Sequence, residues 1–297
     1  MSQRTDRIGE KTVYISPPYE ATVGPLVGRE TEMKLVTAAW IAGKYSLPLS
    51  PLLLGEPGVG KNRLVYEMAN RTGKDLYIFQ GHEDVTAEDL ACSVRFSDEP
   101  GHRMDYVVSP LVTAMMNGGI CFIDEIAKIR PRALALLVSV LDERRYIDST
   151  LLGERVHANN GFRFVAATNT ADLEGNALPE FLRSRMRPVI PVGYPPREEI
   201  DQIVHKRYQQ RLQGRLQNEV EPLLDSFWTL WGDKGGSTAP TPRDVIHVFD
   251  LAFSLADYTL LAERRPLPVE EGGIAPLVEV QHLRQAFEEL YRFSAAQ

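Results

Sequence analysis

A chain of 297 residues has room for two ordinary domains, and with 43% apolar residues it can bury a sizeable core, which excludes disorder as the whole answer. Its net charge of −7 disfavours a general binder of nucleic acid or of an anionic membrane. The only cysteines, Cys92 and Cys121, set up no disulfide framework and read as reduced core thiols of a cytoplasmic protein, and the six histidines show no metal-ligand spacing with them. The first residues, Met1 to Lys11, lack an apolar signal core, and no segment reaches the roughly 18 uninterrupted apolar residues of a membrane span.

Residues 1–24 are polar and punctuated by proline, with Tyr14 and Tyr19 as large side chains, and are predicted to form an extended arm. A helix follows, with Met33, Val36, Ala39 and Trp40 on one side. The apolar run Pro51 to Leu54 predicts a buried strand, the glycine-rich stretch Gly55 to Asn62 a loop, and Arg63 to Ala69 a helix leaving it. Further strands are predicted at Asp75 to Phe79, Ile120 to Asp124, Phe162 to Thr168 and Val189 to Val192, with helical stretches between them. That alternation gives an α/β fold class with a largely parallel, five-stranded sheet. Gly193-Tyr194-Pro195-Pro196 is a breaker, beyond which residues 197–216, 218–232, 242–259 and 278–293 all read as helices, with long Gly/Pro loops at Gly232 to Thr241 and Pro266 to Pro276. The expected layout is an arm over 1–24, an α/β core over 25–194 and a smaller all-α domain over 195–297.

The loop Gly55-Glu56-Pro57-Gly58-Val59-Gly60-Lys61-Asn62 carries the most specific chemistry. Glycines at 55, 58 and 60 let the backbone curl so that successive N–H groups face phosphate oxygens, the following helix presents its positive end, and Lys61 supplies a mobile charge. A glycine-rich turn with a solvated lysine is the competing reading, which the strand before and the helix after disfavour. About sixty residues on, the apolar strand Ile120 to Ile123 ends in Asp124-Glu125, which suits a metal-holding carboxylate beside a water-activating one. An acidic pair capping the next helix would look the same in isolation. Asn169 ends the run Phe164 to Thr168, where an amide can orient a water or contact a γ-phosphate, or simply form a turn.

These residues together resemble an AAA+ ATPase of the MoxR-type branch, from about Leu26 to the final helices. The likeness rests on Val27-Gly28-Arg29, the phosphate loop, Asp124-Glu125, Asn169 as sensor 1, Leu182-Arg183-Ser184-Arg185-Met186 as the arginine-finger region, and Thr241-Pro242-Arg243 as sensor 2. Ser109-Pro110-Leu111-Val112 and Gly118-Gly119-Ile120 also look like that branch. The resemblance implies a P-loop AAA+ core with an all-α lid domain, and ATP and Mg2+ as cofactors. It assigns nucleotide binding to Val27, Gly28, Gly55, Glu56, Pro57, Gly58, Val59, Gly60, Lys61, Asn62 and Arg63, metal binding to Asp124 and Asn62, and catalysis to Glu125, Asn169, Arg183, Arg185 and Arg243. It also implies that residues 94–108, with Gly101 to Tyr106, are a helix-2 insert, and that residues 146–160, with Gly153-Glu154 near the tip, are a pre-sensor-1 hairpin; both face the pore in related rings. A solvated basic cluster is the competing reading of Arg183, Arg185 and Arg187, whereas the resemblance implies a trans-acting arginine here, with Arg185 the first choice. For Arg243, Thr241 and Pro242 fit N-cap and first-turn positions, so a cation there sits at a positive helix end and calls for a nearby anion.

The expected function is a homo-oligomeric ring, six-membered in the family, that uses ATP to remodel or activate a client protein, in relatives often beside a von Willebrand factor A-domain partner. A nucleotide-gated scaffold with weak hydrolysis is the alternative favoured by Asn62, which replaces the expected Ser or Thr. A DNA-linked restriction-type NTPase is a further alternative, opposed by the acidic balance. Mg2+ takes octahedral oxygen ligands at about 2.0–2.1 Å, and Asn62 offers a neutral carbonyl oxygen on a longer arm, which can ligate after a small shift, hold the metal through water, or crowd the site so that Mg2+ binding weakens while phosphate binding persists. The sequence therefore predicts weakened Mg2+ dependence and slow turnover. Asn62→Thr should raise both Mg2+ affinity and ATPase rate, and an unchanged pair of values would refute the reading.

Overall fold

Five apolar runs pair in register as one parallel sheet, and that sheet positions the candidate site. The computed structural model describes residues 4–20, 24, 26–41, 43, 46–97, 104–175, 178–208, 220–234, 238–262 and 278–292. They fall into two compact units, Met1–Glu56 with Gly60–Val192, and Pro57–Val59 with Gly193–Gln297.

In the first unit the chain runs β1 (Thr5–Ile8), β2 (Lys11–Tyr14), α1 (Glu30–Trp40), β3 (Leu52–Leu54), α2 (Lys61–Thr72), β4 (Leu76–Gln80), α3 (Ala87–Ala91), β5 (Cys92–Phe96), β6 (Met104–Val108) and α4 (Pro110–Asn117). It continues through β7 (Ile120–Asp124), α5 (Pro131–Leu134), α6 (Leu137–Leu141), β8 (Tyr146–Ser149), β9 (Glu154–His157), β10 (Arg163–Thr168), α7 (Thr170–Gly175), α8 (Glu180–Arg183) and β11 (Val189–Pro191). The central sheet has the order β11-β3-β10-β7-β4, every pairing parallel. Its strands read as continuous apolar runs because both faces are covered: Ile120 to Ile123 and Val165 to Ala167 have no exposed surface. The register pairs Thr168 with Leu54 and Asp124 with Gln80, so Gly55, Asn169, Asp124 and Gln80 emerge at one carboxyl edge, where open parallel sheets bind ligands.

The expected N-terminal arm is instead a paired hairpin. β1 and β2 are antiparallel, β2 joins β6 in parallel, and β6 pairs with β5, giving a second sheet of order β1-β2-β6-β5. Ile8 and Val13 are buried in the same core as Cys92 and Val108, and Gly9, at φ 58, makes the two-residue turn possible. The predicted insert at 94–108 thus overlaps the β5 and β6 hairpin; Gly101, His102 and Arg103 lie outside the described residues. Residues 146–160 form the β8 and β9 hairpin, with Gly153 at φ 63 in its turn. The Lys11 ammonium donates to the Leu152 carbonyl, tying the N-terminal hairpin to it. Cys92 and Cys121 are buried free thiols, and complete burial drives the Cys121 thiol far above its ordinary range.

The second unit is α9 (Arg197–Tyr208), α10 (Val220–Asp233), α11 (Pro242–Ala262) and α12 (Val280–Tyr291). The helical predictions over 209–219 and the loop at Pro266 to Pro276 lie outside the described residues, as do 235–237 of the other loop. Val204, Leu224, Phe227, Phe249 and Leu283 close its core, and the Tyr208 hydroxyl donates to Asp250 at 2.7 Å. Among the described residues no helix is long and apolar enough to cross a membrane. Phe227 is fully buried and meets Trp228, Trp231, Phe249 and Phe287. Phe227→Ala should lower the stability of this unit by about 3–5 kcal/mol, measured by urea unfolding.

Candidate nucleotide site

β3 delivers the chain to Gly55, whose N–H donates to the Thr168 carbonyl at 3.3 Å and so fixes the loop to the end of β10. Gly58 (φ 90) and Gly60 (φ 103) take left-handed values that a side chain would disfavour. Gly60 precedes α2, which carries neither a side-chain cap nor an acidic residue in its first turn. Its positive end therefore favours an anion, beside the added charge of Lys61.

Lys61 is buried, with 7% exposure, and its ammonium donates to the carbonyls of Gly55 (2.6 Å) and Glu56 (3.0 Å) and to Asn169 Oδ1 (2.8 Å). Asn169 passes the link on, its Nδ2 donating to Asp172 at 3.1 Å. On the other side Asp124 Oδ2 accepts from Asn62 Nδ2 at 2.8 Å, and its Oδ1 accepts from the Glu125 N–H at 2.9 Å. Of the arrangements expected for position 62, a carbonyl oxygen turned to a metal is not the one adopted; its amide nitrogen faces the carboxylate, because a carboxylate accepts. Glu125 sits at φ 54, a left-handed backbone costing about 1–2 kcal/mol, which swings its carboxylate to Gln80 Nε2 (2.9 Å) and Lys128 Nζ (2.9 Å).

Several of these partners are absent from the sequence-based expectation. Gly81 is one, since a Cβ there would come within 2.5 Å of the Glu125 carbonyl oxygen and 2.9 Å of that of Asp124. Its N–H donates to the Asp124 carbonyl at 2.8 Å. Gln80-Gly81 directly after the apolar run Leu76 to Phe79 was the available signal. Tyr66 is another: burial first, then interaction with Tyr19, pushes its hydroxyl up to about 12, with the Asn62 side chain acting the other way. The rings of Tyr19 and Tyr66 lie 5.0 Å apart.

The remaining predicted residues lie further out. Val27 is buried, Gly28 (φ 66) and Arg29 (φ 67) turn the chain into α1, and Arg63 donates to the Gly24 carbonyl. Val59 is buried, Pro57 exposed and Glu56 half-buried. Arg183 and Arg187 are exposed, whereas Arg185 donates to the Phe181 carbonyl at 2.6 Å and lies 3.8 Å from Asp142. Arg243 belongs to the helical unit. There Thr241 and Asp244 form a reciprocal cap, with Thr241 N–H to Asp244 Oδ2 at 2.8 Å and Asp244 N–H to Thr241 Oγ1 at 3.3 Å. Asp244 already supplies an anion to that helix end, so the helix end by itself no longer calls for a phosphate near Arg243.

Residues 50–186 match the AAA domain (dynein-related subfamily). Protein NorQ of Paracoccus denitrificans is 36% identical over 128 residues, 43% of this chain and 46% of that protein. The denitrification regulatory protein NirQ of Stutzerimonas stutzeri is 32% identical over 138 residues, 46% of this chain and 47% of that protein. The chain thus spans about half the length of these two relatives; YojN of Bacillus subtilis is 28% identical over 74% of this chain and 69% of its own length. Among solved structures, a variant of Thermotoga maritima RuvB aligns over 91% of this chain and 72% of its own, with a TM-score of 0.56 at 18% identity, a likeness of fold alone. A five-stranded parallel sheet with a phosphate loop at its carboxyl edge and this domain match define an AAA+ protein. The similarity to NorQ and NirQ lies along this same domain and agrees with the MoxR-type resemblance of its motifs.

Gly81→Ala should push the acidic pair off its seat, because both atoms it would strike are backbone. The expected cost is about 1–3 kcal/mol of stability, read from chemical unfolding of the purified chain.

Proposed function

We propose that this chain is a ring-forming ATPase that uses ATP binding and hydrolysis to remodel or activate a client protein in the cytoplasm. The observation that supports it most is the convergence of Lys61, Asn169, Asp124 and Glu125 at one sheet edge. Lys61 and the uncapped start of α2 would hold the β- and γ-phosphates, and Glu125 would polarise the attacking water. Asn169, already fixed between Lys61 and Asp172, would orient that water or contact the γ-phosphate. Arg185, with Arg183 beside it in sequence, would come from a neighbouring subunit, and Arg243 from the helical unit. A six-membered ring and a von Willebrand factor A-domain partner belong to the same reading. NirQ is named a denitrification regulatory protein, and a regulatory role exerted on another protein is in keeping with client activation.

The residues present fit a nucleotide better than they fit magnesium. In such sites the ion is bound beside the phosphates and neutralises their charge. In this chain Asp124 has both oxygens occupied by N–H donors, one of them from the residue that should offer an oxygen. That observation favours a second reading, a nucleotide-gated scaffold that assembles but turns over slowly. A DNA-linked motor finds no support in a net charge of −7.

ATP turnover measured together with particle mass in ATP tests the proposal. The wild-type chain should assemble and hydrolyse ATP, and Glu125→Gln should assemble while losing about 10²-fold or more in rate. A monomer under all nucleotide conditions would refute a trans-acting arginine. Assembly without turnover, with or without client, would leave the scaffold reading standing.

A further inference from the structure

The bond between Asn62 and Asp124 is one link of a longer chain. Tyr66 stands one turn along α2, where its hydroxyl interacts with the Asn62 side chain and with Tyr19, whose ring centroid lies 5.0 Å from its own. Tyr19 belongs to the segment after β2 and is pinned there by its backbone N–H, which donates to the Leu76 carbonyl at 2.7 Å as β4 begins. A few residues on, the Gly24 carbonyl accepts from Arg63, so the N-terminal segment grips the first turns of α2 at two places.

The orientation of the Asn62 amide follows from chemistry. Asp124 can only accept, so the amide must give it N–H, and an amide N–H cannot ligate a cation. Turning the carbonyl oxygen inward would break the bond to Asp124 and set two acceptors against each other. It would also disturb the contact with Tyr66. A divalent cation would have to compete with all of this, on a carboxylate whose other oxygen is already held by the Glu125 N–H.

We propose that the Asn62 amide takes the cation's place at Asp124, that Tyr66 seated by Tyr19 acts as a positioning residue holding it there, and that ATP consequently binds this chain without a divalent cation. The proposal rests on the nucleotide-binding reading above. Phosphates in a metal-free P-loop are normally repelled by the nearby Asp. In this site two N–H donors spread that charge, while Lys61 and the uncapped start of α2 supply attraction. The N-terminal segment thereby becomes part of what decides the cation requirement of the site.

Calorimetric titration of ATP into the full chain, once in magnesium and once in EDTA, tests this. The wild-type Kd should agree within about threefold between the two buffers, whereas Asn62→Thr should bind at least about tenfold tighter in magnesium, a gain of ~1.4 kcal/mol. Tyr66→Phe keeps the ring and loses the hydroxyl. It should move the wild-type ratio towards that of Asn62→Thr and should add nothing when combined with it, a coupling that loss of packing alone would not produce. A wild-type chain that already prefers magnesium about tenfold overturns the proposal while leaving the nucleotide reading intact. A Tyr66→Phe ratio equal to wild type overturns the positioning role. Failure to bind ATP in either buffer overturns the nucleotide reading itself and this proposal with it.

Discussion

The arrangement depends on a buried ammonium. A charge removed from water is costly unless its protons are accepted, and Lys61, only 7% exposed, gives them to two carbonyls of its own loop and to the Asn169 side chain. Those acceptors exist only because the loop doubles back over its own helix start, which the left-handed Gly58 and Gly60 allow. Lys61 therefore does two jobs before any ligand arrives: it closes the loop, and it fastens the loop to the end of β10. An anion entering the loop would compete for an ammonium held by neutral oxygens, an exchange that a phosphate charge favours.

Parallel register carries this local arrangement to the acidic pair. Because β10 lies between β3 and β7, Asn169 and Asp124 leave neighbouring strands at the same edge, one towards Lys61 and the other towards Asn62. β4, on the far side of β7, closes the edge with Gln80 and Gly81. Gly81 is needed there for space, since the backbone of Asp124 and Glu125 fills the volume a side chain would take. The left-handed Glu125 is held by the same contacts, its carboxylate by Gln80 and Lys128. Strain at that residue is thus offset by groups on both sides of it in the sheet and in the following turn.

What was legible in the sequence is what is local. The runs that became β3, β4, β7, β10 and β11 announce themselves as short apolar stretches, and the loop and acidic pair follow from residue type and spacing. Pairings between distant segments were not legible. The hairpin of β1 and β2 had a usable signal in Ile8-Gly9-Glu10-Lys11, but its parallel partner β6 lies about ninety residues away, and nothing in a polar, proline-punctuated stretch names that partner. The tyrosine pair is similar: Tyr19 and Tyr66 are each unremarkable in sequence and meet only because the N-terminal segment crosses the start of β4. Near Arg243 it is Asp244 that changes the helix-end electrostatics, and the spacing Thr241-Pro242-Arg243-Asp244 was a usable signal for that cap.

The arginines at the end of α8 and just after it differ in what holds them. Arg185 has contacts to give up, a carbonyl at 2.6 Å and a carboxylate at 3.8 Å, while its Nε is buried without a hydrogen-bond partner among the described residues. The carboxylate belongs chiefly to Arg144, whose guanidinium bonds Asp142 at 2.7 Å and does most to hold it below the usual carboxylate range. Releasing Arg185 would therefore leave Asp142 paired and would free a donor that is incompletely satisfied where it stands. Arg183, already exposed, has less to lose but is also less firmly aimed. A guanidinium held loosely beside a carboxylate that does not need it suits an exchange of partners better than one fully bonded or fully solvated, and this is the physical ground for the role proposed for Arg185.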